Sequence, residues 1–110
     1  MHELGISRNI VAIASEAGGG RRVRRVTLEI GRLTGVMRHA IEFSFEAVAA
    51  GTPLAGAVLD IREIEGRGRC ADCGRESAIA SFPAACACGS RRLACIAGEE
   101  LNIKSIDLED

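Results

Sequence analysis

EGRGRCADCGRESAIASFPAACACGSRRLACI, residues 65–96, is the stretch on which the reading of this chain turns. It carries all five cysteines, Cys70, Cys73, Cys86, Cys88 and Cys95, and few side chains able to build a core. A segment of this kind needs an external staple. In Cys70-Ala71-Asp72-Cys73-Gly74 two thiolates can converge on one ion, while the following glycine admits a tight turn. Twelve residues intervene before Cys86-Ala87-Cys88-Gly89. Two short cysteine pairs, each followed by glycine and separated by a hairpin-length loop, outline a zinc ribbon with tetrahedral sulfur ligation. The second pair is CxC rather than CxxC, so its chelate turn is shorter, and Cys95 could take the place of one thiolate. Flanked by Leu93, Ala94 and Ile96, Cys95 otherwise reads as a small buried hydrophobe. A redox pair fits less well, because Cys70 to Cys73 opens no amphipathic helix.

Outward from the insert, both flanks change character. Val58 to Ile64 reads as a strand before it, and Glu100 to Leu108 as a strand after it through Leu101, Ile103, Ile106 and Leu108, with the alternation slipping near Ser105. Further upstream, Ile6, Ile10, Ile13 and Ala17 recur at helical spacing, widened by Leu4, Val11 and Ala14, until Gly18-Gly19-Gly20 stops the helix. Arg21, Arg22, Arg24 and Arg25 then lead into a half-buried strand of Val26, Leu28 and Ile30. Ile41, Phe45 and Val48 place a second helix, ended by Gly51-Thr52-Pro53. The expected fold is α+β: a small three-stranded sheet with two helices on one face, plus an inserted zinc-ribbon-like lobe. Residues 1–64 and 97–110 form the α/β domain in this reading, and 65–96 the insert.

Composition excludes several classes. With 110 residues, 47% of them hydrophobic and 26% charged, the chain suits one ordinary domain with a small appendage. Three Phe and no Trp or Tyr leave a thin aliphatic core. The 14 basic and 15 acidic residues give a net charge of -1, and no global field to draw in nucleic acid or an anionic membrane. No apolar run approaches the roughly 20 residues that span a bilayer. The first residues lack the basic leader and apolar run of a signal peptide, which points to the cytoplasm, where thiols stay reduced and bind metal rather than form disulfides.

Met1-His2-Glu3 offers a free amine, a backbone amide and an imidazole in succession. If the His2 amide deprotonates, these close fused chelate rings of strong-field nitrogen donors in a plane, an arrangement that suits Ni(II) or Cu(II) rather than zinc. The Glu3 amide or carboxylate could fill another position. Met1-His2-Glu3, the CxxC with a second pair ending Cys88-Gly89-Ser90, and Gly98-Glu99-Glu100-Leu101 together resemble the HypA/HybF family of hydrogenase maturation nickel metallochaperones. The resemblance spans essentially the whole chain, including Val26-Thr27-Leu28-Glu29-Ile30-Gly31 and Phe43-Ser44-Phe45-Glu46. It implies that His2 is the nickel ligand, supported by Met1 and Glu3, and that Cys70, Cys73, Cys86 and Cys88 hold structural zinc. One departure stands out. The family's second pair is CPxC, whereas Ala85 occupies the position expected for the first thiolate and Cys86 is displaced by one residue.

The resemblance further implies a non-enzymatic carrier of Ni(II) in the cytoplasm. A GTPase of the HypB type would be its partner and a hydrogenase large-subunit precursor its recipient, with urease maturation proteins as further partners and a homodimer left open. The chain has no phosphate-cradling loop of its own. The competing reading is a zinc-ribbon nucleic-acid-binding module, motivated by Arg67, Arg69, Arg75, Arg91 and Arg92 around the cysteines. It lacks the interleaved aromatics that stack on bases, since Phe82 is alone. His2 and His39 are the only histidines, His39 reads as a surface residue opening the second helix, and no catalytic residue is nominated.

Overall fold

The computed structural model describes residues 3–110. Its elements follow in the order α1 (Glu3–Ala17), β1 (Val23–Gly31), a short 3-10 turn (Arg32–Thr34), α2 (Arg38–Ala49), β2 (Val58–Ile64), β3 (Arg67–Cys70), β4 (Glu76–Ala78), β5 (Leu93–Ala97) and β6 (Leu101–Leu108). They form an α+β fold with two three-stranded sheets, ordered β2-β1-β6 and β4-β3-β5. The sequence-expected sheet is the first of these. The second lies in the cysteine segment, where no strand was expected.

The chain divides into two compact units, one of residues 3–29, 36–62 and 102–110, the other of Ile30–Gly35 and Glu63–Leu101. In the first, β1 carries the apolar load, with Val23, Val26 and Leu28 at most 2% exposed. Ile10, Val11 and Ala14 of α1, Ile41, Phe45 and Ala49 of α2, Leu54, and Ile61 of β2 complete its core. Thr52 shapes the approach to β2, its hydroxyl donating to the Ala49 carbonyl at 2.6 Å and accepting from the Leu54 amide at 3.1 Å. This closes α2 and turns Leu54 inward.

The buried stripe of α1 differs from the one expected. Ser7, Ile10, Val11 and Ala14 face the core, whereas Ile13 and Leu4 are 58% and 47% exposed, Ile6 is half-buried and Ala17 is exposed. The partner helix explains the shift. α1 packs on α2, and the fully buried Ser7 hydroxyl lies 2.6 Å from that of Ser44, which donates to the Ala40 carbonyl one turn back at 2.9 Å. A satisfied hydroxyl pair can occupy a core position that hydropathy assigns to a neighbour. In β6 the burial phase slips as the sequence suggested: Ile103, Ile106 and Leu108 are half-buried while Lys104 and Ser105 are both exposed.

In the second unit β3 pairs antiparallel with β4 on one side and β5 on the other, with Arg69 opposite Glu76 and Cys70 opposite Leu93. The backbone crowds where the 3-10 segment meets the turn between β5 and β6. The Gly31 amide donates to the Glu100 carbonyl at 2.7 Å and the Leu33 amide to the Gly98 carbonyl at 2.8 Å. A Cβ on Gly31 would sit 1.9 Å from the Gly98 carbonyl oxygen, so only glycine allows this approach.

Candidate metal centre

β3 ends at Cys70, and the chain turns at once. The Gly74 amide donates to the Cys70 carbonyl at 2.9 Å and the Cys70 amide to the Arg75 carbonyl at 2.9 Å, with Gly74 in the left-handed region that glycine tolerates. A second turn has the same design. There the Gly89 amide donates to the Cys86 carbonyl at 2.9 Å and the Cys86 amide to the Ser90 carbonyl at 2.7 Å. Each of its bonds spans one residue fewer than the counterpart in the first turn. That shortening accommodates CxC where the first turn has CxxC, and it accounts for the displaced position of Cys86. Each turn then presents one buried sulfur residue, Cys70 or Cys86, and one exposed, Cys73 or Cys88.

The two turns face each other. The sulfurs of Cys70, Cys73, Cys86 and Cys88 all lie within 4.8 Å of one another, the one grouping of three or more His, Cys, Asp or Glu side chains among the described residues close enough to hold an ion. The Cys70 and Cys88 sulfurs are 3.7 Å apart and those of Cys73 and Cys86 3.5 Å. Four thiolates around zinc at about 2.3 Å stand about 3.8 Å from each other by tetrahedral geometry. The donor set therefore fits zinc in chemistry and in spacing. Electrostatics within the cluster is uneven. The Cys73 amide, chief among several donors, pulls the Cys70 thiol down to about 6. The Ser90 amide pulls Cys88 the same way, but hydrogen bonding with Cys86 and Cys70 outweighs it and pushes Cys88 up to about 12.

Cys95 stands apart. It is half-buried in β5, its thiol donates to the Ala97 carbonyl at 3.2 Å, and burial, followed by Glu99, pushes its pKa up.

Met1 and His2 lie outside the described residues. Glu3 opens α1, where its carboxylate is held below the usual carboxylate range first by its own amide and then by that of Met37, at 3.5 Å. His39 is exposed in the first turn of α2. Of the arginines near the cysteines, Arg69 pairs with Glu76 at 2.7 Å and Arg92 with Asp72 at 3.1 Å. Sequence reasoning passed over Asp72 and Ser90, whose side chains are hydrogen-bonded to each other between the two cysteine turns. Their positions inside Cys-Ala-Asp-Cys and directly after Cys-Gly were the available signal.

Comparison with known proteins bears on the whole chain. A family model described as hydrogenase/urease nickel incorporation, metallochaperone, hypA matches residues 1–108. The curated protein named hydrogenase maturation factor HypA from Nostoc sp. is 51% identical over 110 residues, covering 100% of this chain and 97% of its own. The protein of the same name from Geobacter metallireducens is 46% identical over 110 residues, covering 99% and 100%. Among solved structures, the solution structure of the Ni metallochaperone HypA from Helicobacter pylori superposes with a TM-score of 0.70 at 21% identity, over 98% of this chain and 97% of that one. At that identity the likeness is one of fold.

Proposed function

The chain belongs to the HypA family, and on that premise we propose that it is a nickel metallochaperone that binds Ni(II) at its amino terminus and delivers it during maturation of nickel-iron hydrogenase. The observation that carries this reading is the match of the family model from residue 1 onward, which includes Met1-His2-Glu3. In the proposed site His2 supplies imidazole and backbone amide, Met1 the terminal amine, and Glu3 a further amide or carboxylate donor. Nitrogen donors in a plane match the preference of Ni(II) and disfavour zinc. A chelate at a chain end also suits a carrier, since its donors can be peeled from the ion one at a time as the recipient's ligands replace them.

Cys70, Cys73, Cys86 and Cys88 are the proposed zinc ligands, and zinc there would fix the fold of the insert, residues 65–96, while residues 1–64 and 97–110 handle nickel. Support comes from the convergence of the four sulfurs at zinc-like spacing. The carrier acts in the cytoplasm with a GTPase of the HypB type, which supplies the nucleotide energy, and serves a hydrogenase large-subunit precursor. Urease maturation is a second outlet of the same chemistry. No helix among the described residues is long and apolar enough to cross a membrane.

Nickel titration of tag-free protein beside its His2→Ala variant tests the reading. The variant is expected to lose specific Ni(II) binding with zinc content and fold unchanged. The planar-nickel absorption of the parent should bleach as pH falls through about 6.5, where protons compete for the imidazole. In cells growing on limiting nickel the variant should leave hydrogenase inactive, with partial recovery in excess nickel. Full nickel affinity in His2→Ala, or an octahedral oxygen-rich site, would defeat the mechanism.

A further inference from the structure

Asp72 sits between the two cysteines of the first turn, and its carboxylate reaches across to the second. One oxygen accepts from the Ser90 hydroxyl and the other from the Arg92 guanidinium at 3.1 Å. The Ser90 hydroxyl in turn accepts from the Arg92 amide at 3.0 Å, and the Ser90 carbonyl is the acceptor that closes the second turn on the Cys86 amide. Beside Asp72, the Ala71 amide donates to the Arg92 carbonyl at 2.9 Å. The loop bearing Cys73 is thereby tied to the loop bearing Cys88 through atoms that are not themselves ligands.

We propose that Asp72, Ser90 and Arg92 form a clasp that governs how fast the four-cysteine site gives up its metal. The inference rests on the zinc reading above and adds the residues that set its kinetics. A closed tetrahedral thiolate site releases its ion stepwise, and a turn must swing away before a proton or a competing chelator can take over a sulfur. Cys73 and Cys88 are the exposed members and hence the points of attack. The clasp joins the turns that carry them, so opening the site requires breaking it. Asp72 and Arg92 are 46% and 73% exposed, and an ion pair so exposed contributes little alone. The Ser90 hydroxyl makes the difference, because it turns a lone pair into a charge-assisted, two-point contact on one carboxylate. Asp72, Ser90 and Arg92 are positioning residues: they act on the metal through the turns they join.

The test is the rate of zinc transfer from full-length protein to a chromogenic chelator in excess. Metal analysis of the parent protein comes first, and absence of stoichiometric zinc there would sink the zinc reading rather than the clasp. With zinc present, Asp72→Ala should release it roughly tenfold faster and Arg92→Ala roughly threefold faster, with circular dichroism unchanged, as expected for loss of hydrogen bonds that hold the two ligand-bearing turns together. Both variants remove the same tie, so the double variant should be no faster than Asp72→Ala alone. Asp72→Asn keeps an acceptor for Ser90 without the charge and should fall between. If Asp72→Ala does not fold, Ser90→Ala and Arg92→Ala carry the test with the same sign. Parent-like release in these variants, or additive effects in the double variant, would overturn the proposal.

Discussion

Replacing Cys73 by serine separates the metal-bound reading from every other account of the cysteine segment. Cys73 is exposed, so the change leaves the core alone, whereas Cys70→Ser would also place a hydroxyl at a site 1% exposed. Structural zinc in small domains contributes about 10–16 kcal/mol at neutral pH, and an even share among four thiolates is about 2.5–4 kcal/mol each. Loss of one share corresponds to roughly two to three powers of ten in zinc affinity. Competition against a chelator of known affinity measures this directly. Amide resonances of residues 66–97 should broaden or collapse in Cys73→Ser at limiting zinc, while those of Val23, Val26, Leu28, Ile41 and Phe45 hold, because the first unit has its own apolar core. Cys86→Ser should lose zinc affinity as Cys73→Ser does, with the added cost of a hydroxyl at a buried position. Cys95→Ser should keep its zinc, since the thiol lies outside the cluster and a serine hydroxyl can donate to the Ala97 carbonyl in its place. One equivalent of zinc at parent affinity in Cys73→Ser, or zinc loss confined to Cys95→Ser, would refute this reasoning.

Two further perturbations probe the second unit. Gly31→Ala forces a Cβ to within 2.1 Å of the Gly98 carbonyl carbon and 2.6 Å of the Glu99 amide, all backbone atoms, and threatens the bonds from Gly31 to Glu100 and from Leu33 to Gly98. It should cost about 3–5 kcal/mol in denaturant unfolding, and a loss under about 0.5 kcal/mol would contradict the close approach. The Arg69 guanidinium holds the Glu76 carboxyl below its ordinary 4.5, so the pair stabilises β3 against β4 above that pH and the contribution fades as pH falls through the lower folded-state value. Glu76 should therefore titrate below 4.5 by NMR and return toward 4.5 in Arg69→Ala; identical midpoints in both proteins would dismiss the pairing.

Sequence by itself determined the features that depend on neighbours along the chain. The strand Val58–Ile64, both helices, and the phase slip in the last strand follow from local periodicity and from glycine or proline stops, and the structure has them where they were expected. The composition of residues 65–96 likewise marked a segment with few side chains able to build a core. Tertiary structure decided what depends on partners distant in sequence. The face of α1 is one case, since Ile6, Ile10, Ile13 and Ala17 fit a helical stripe as well as Ser7, Ile10, Val11 and Ala14 do, and only Ser44 on α2 makes a buried serine acceptable. Arg67-Gly68-Arg69 is another: it holds no apolar β-former, yet it forms the central strand of a sheet because β4 and β5 supply its ladders. Which cysteines meet is the third. Spacing left Cys86 and Cys95 as competitors beside Cys70, Cys73 and Cys88, and the choice fell to hydrogen bonds around Cys86 that close its turn one residue early and bring its sulfur to 3.5 Å from that of Cys73. Spacing along a chain fixes how far a ligand can reach, but the backbone bonds of the turn fix where it points.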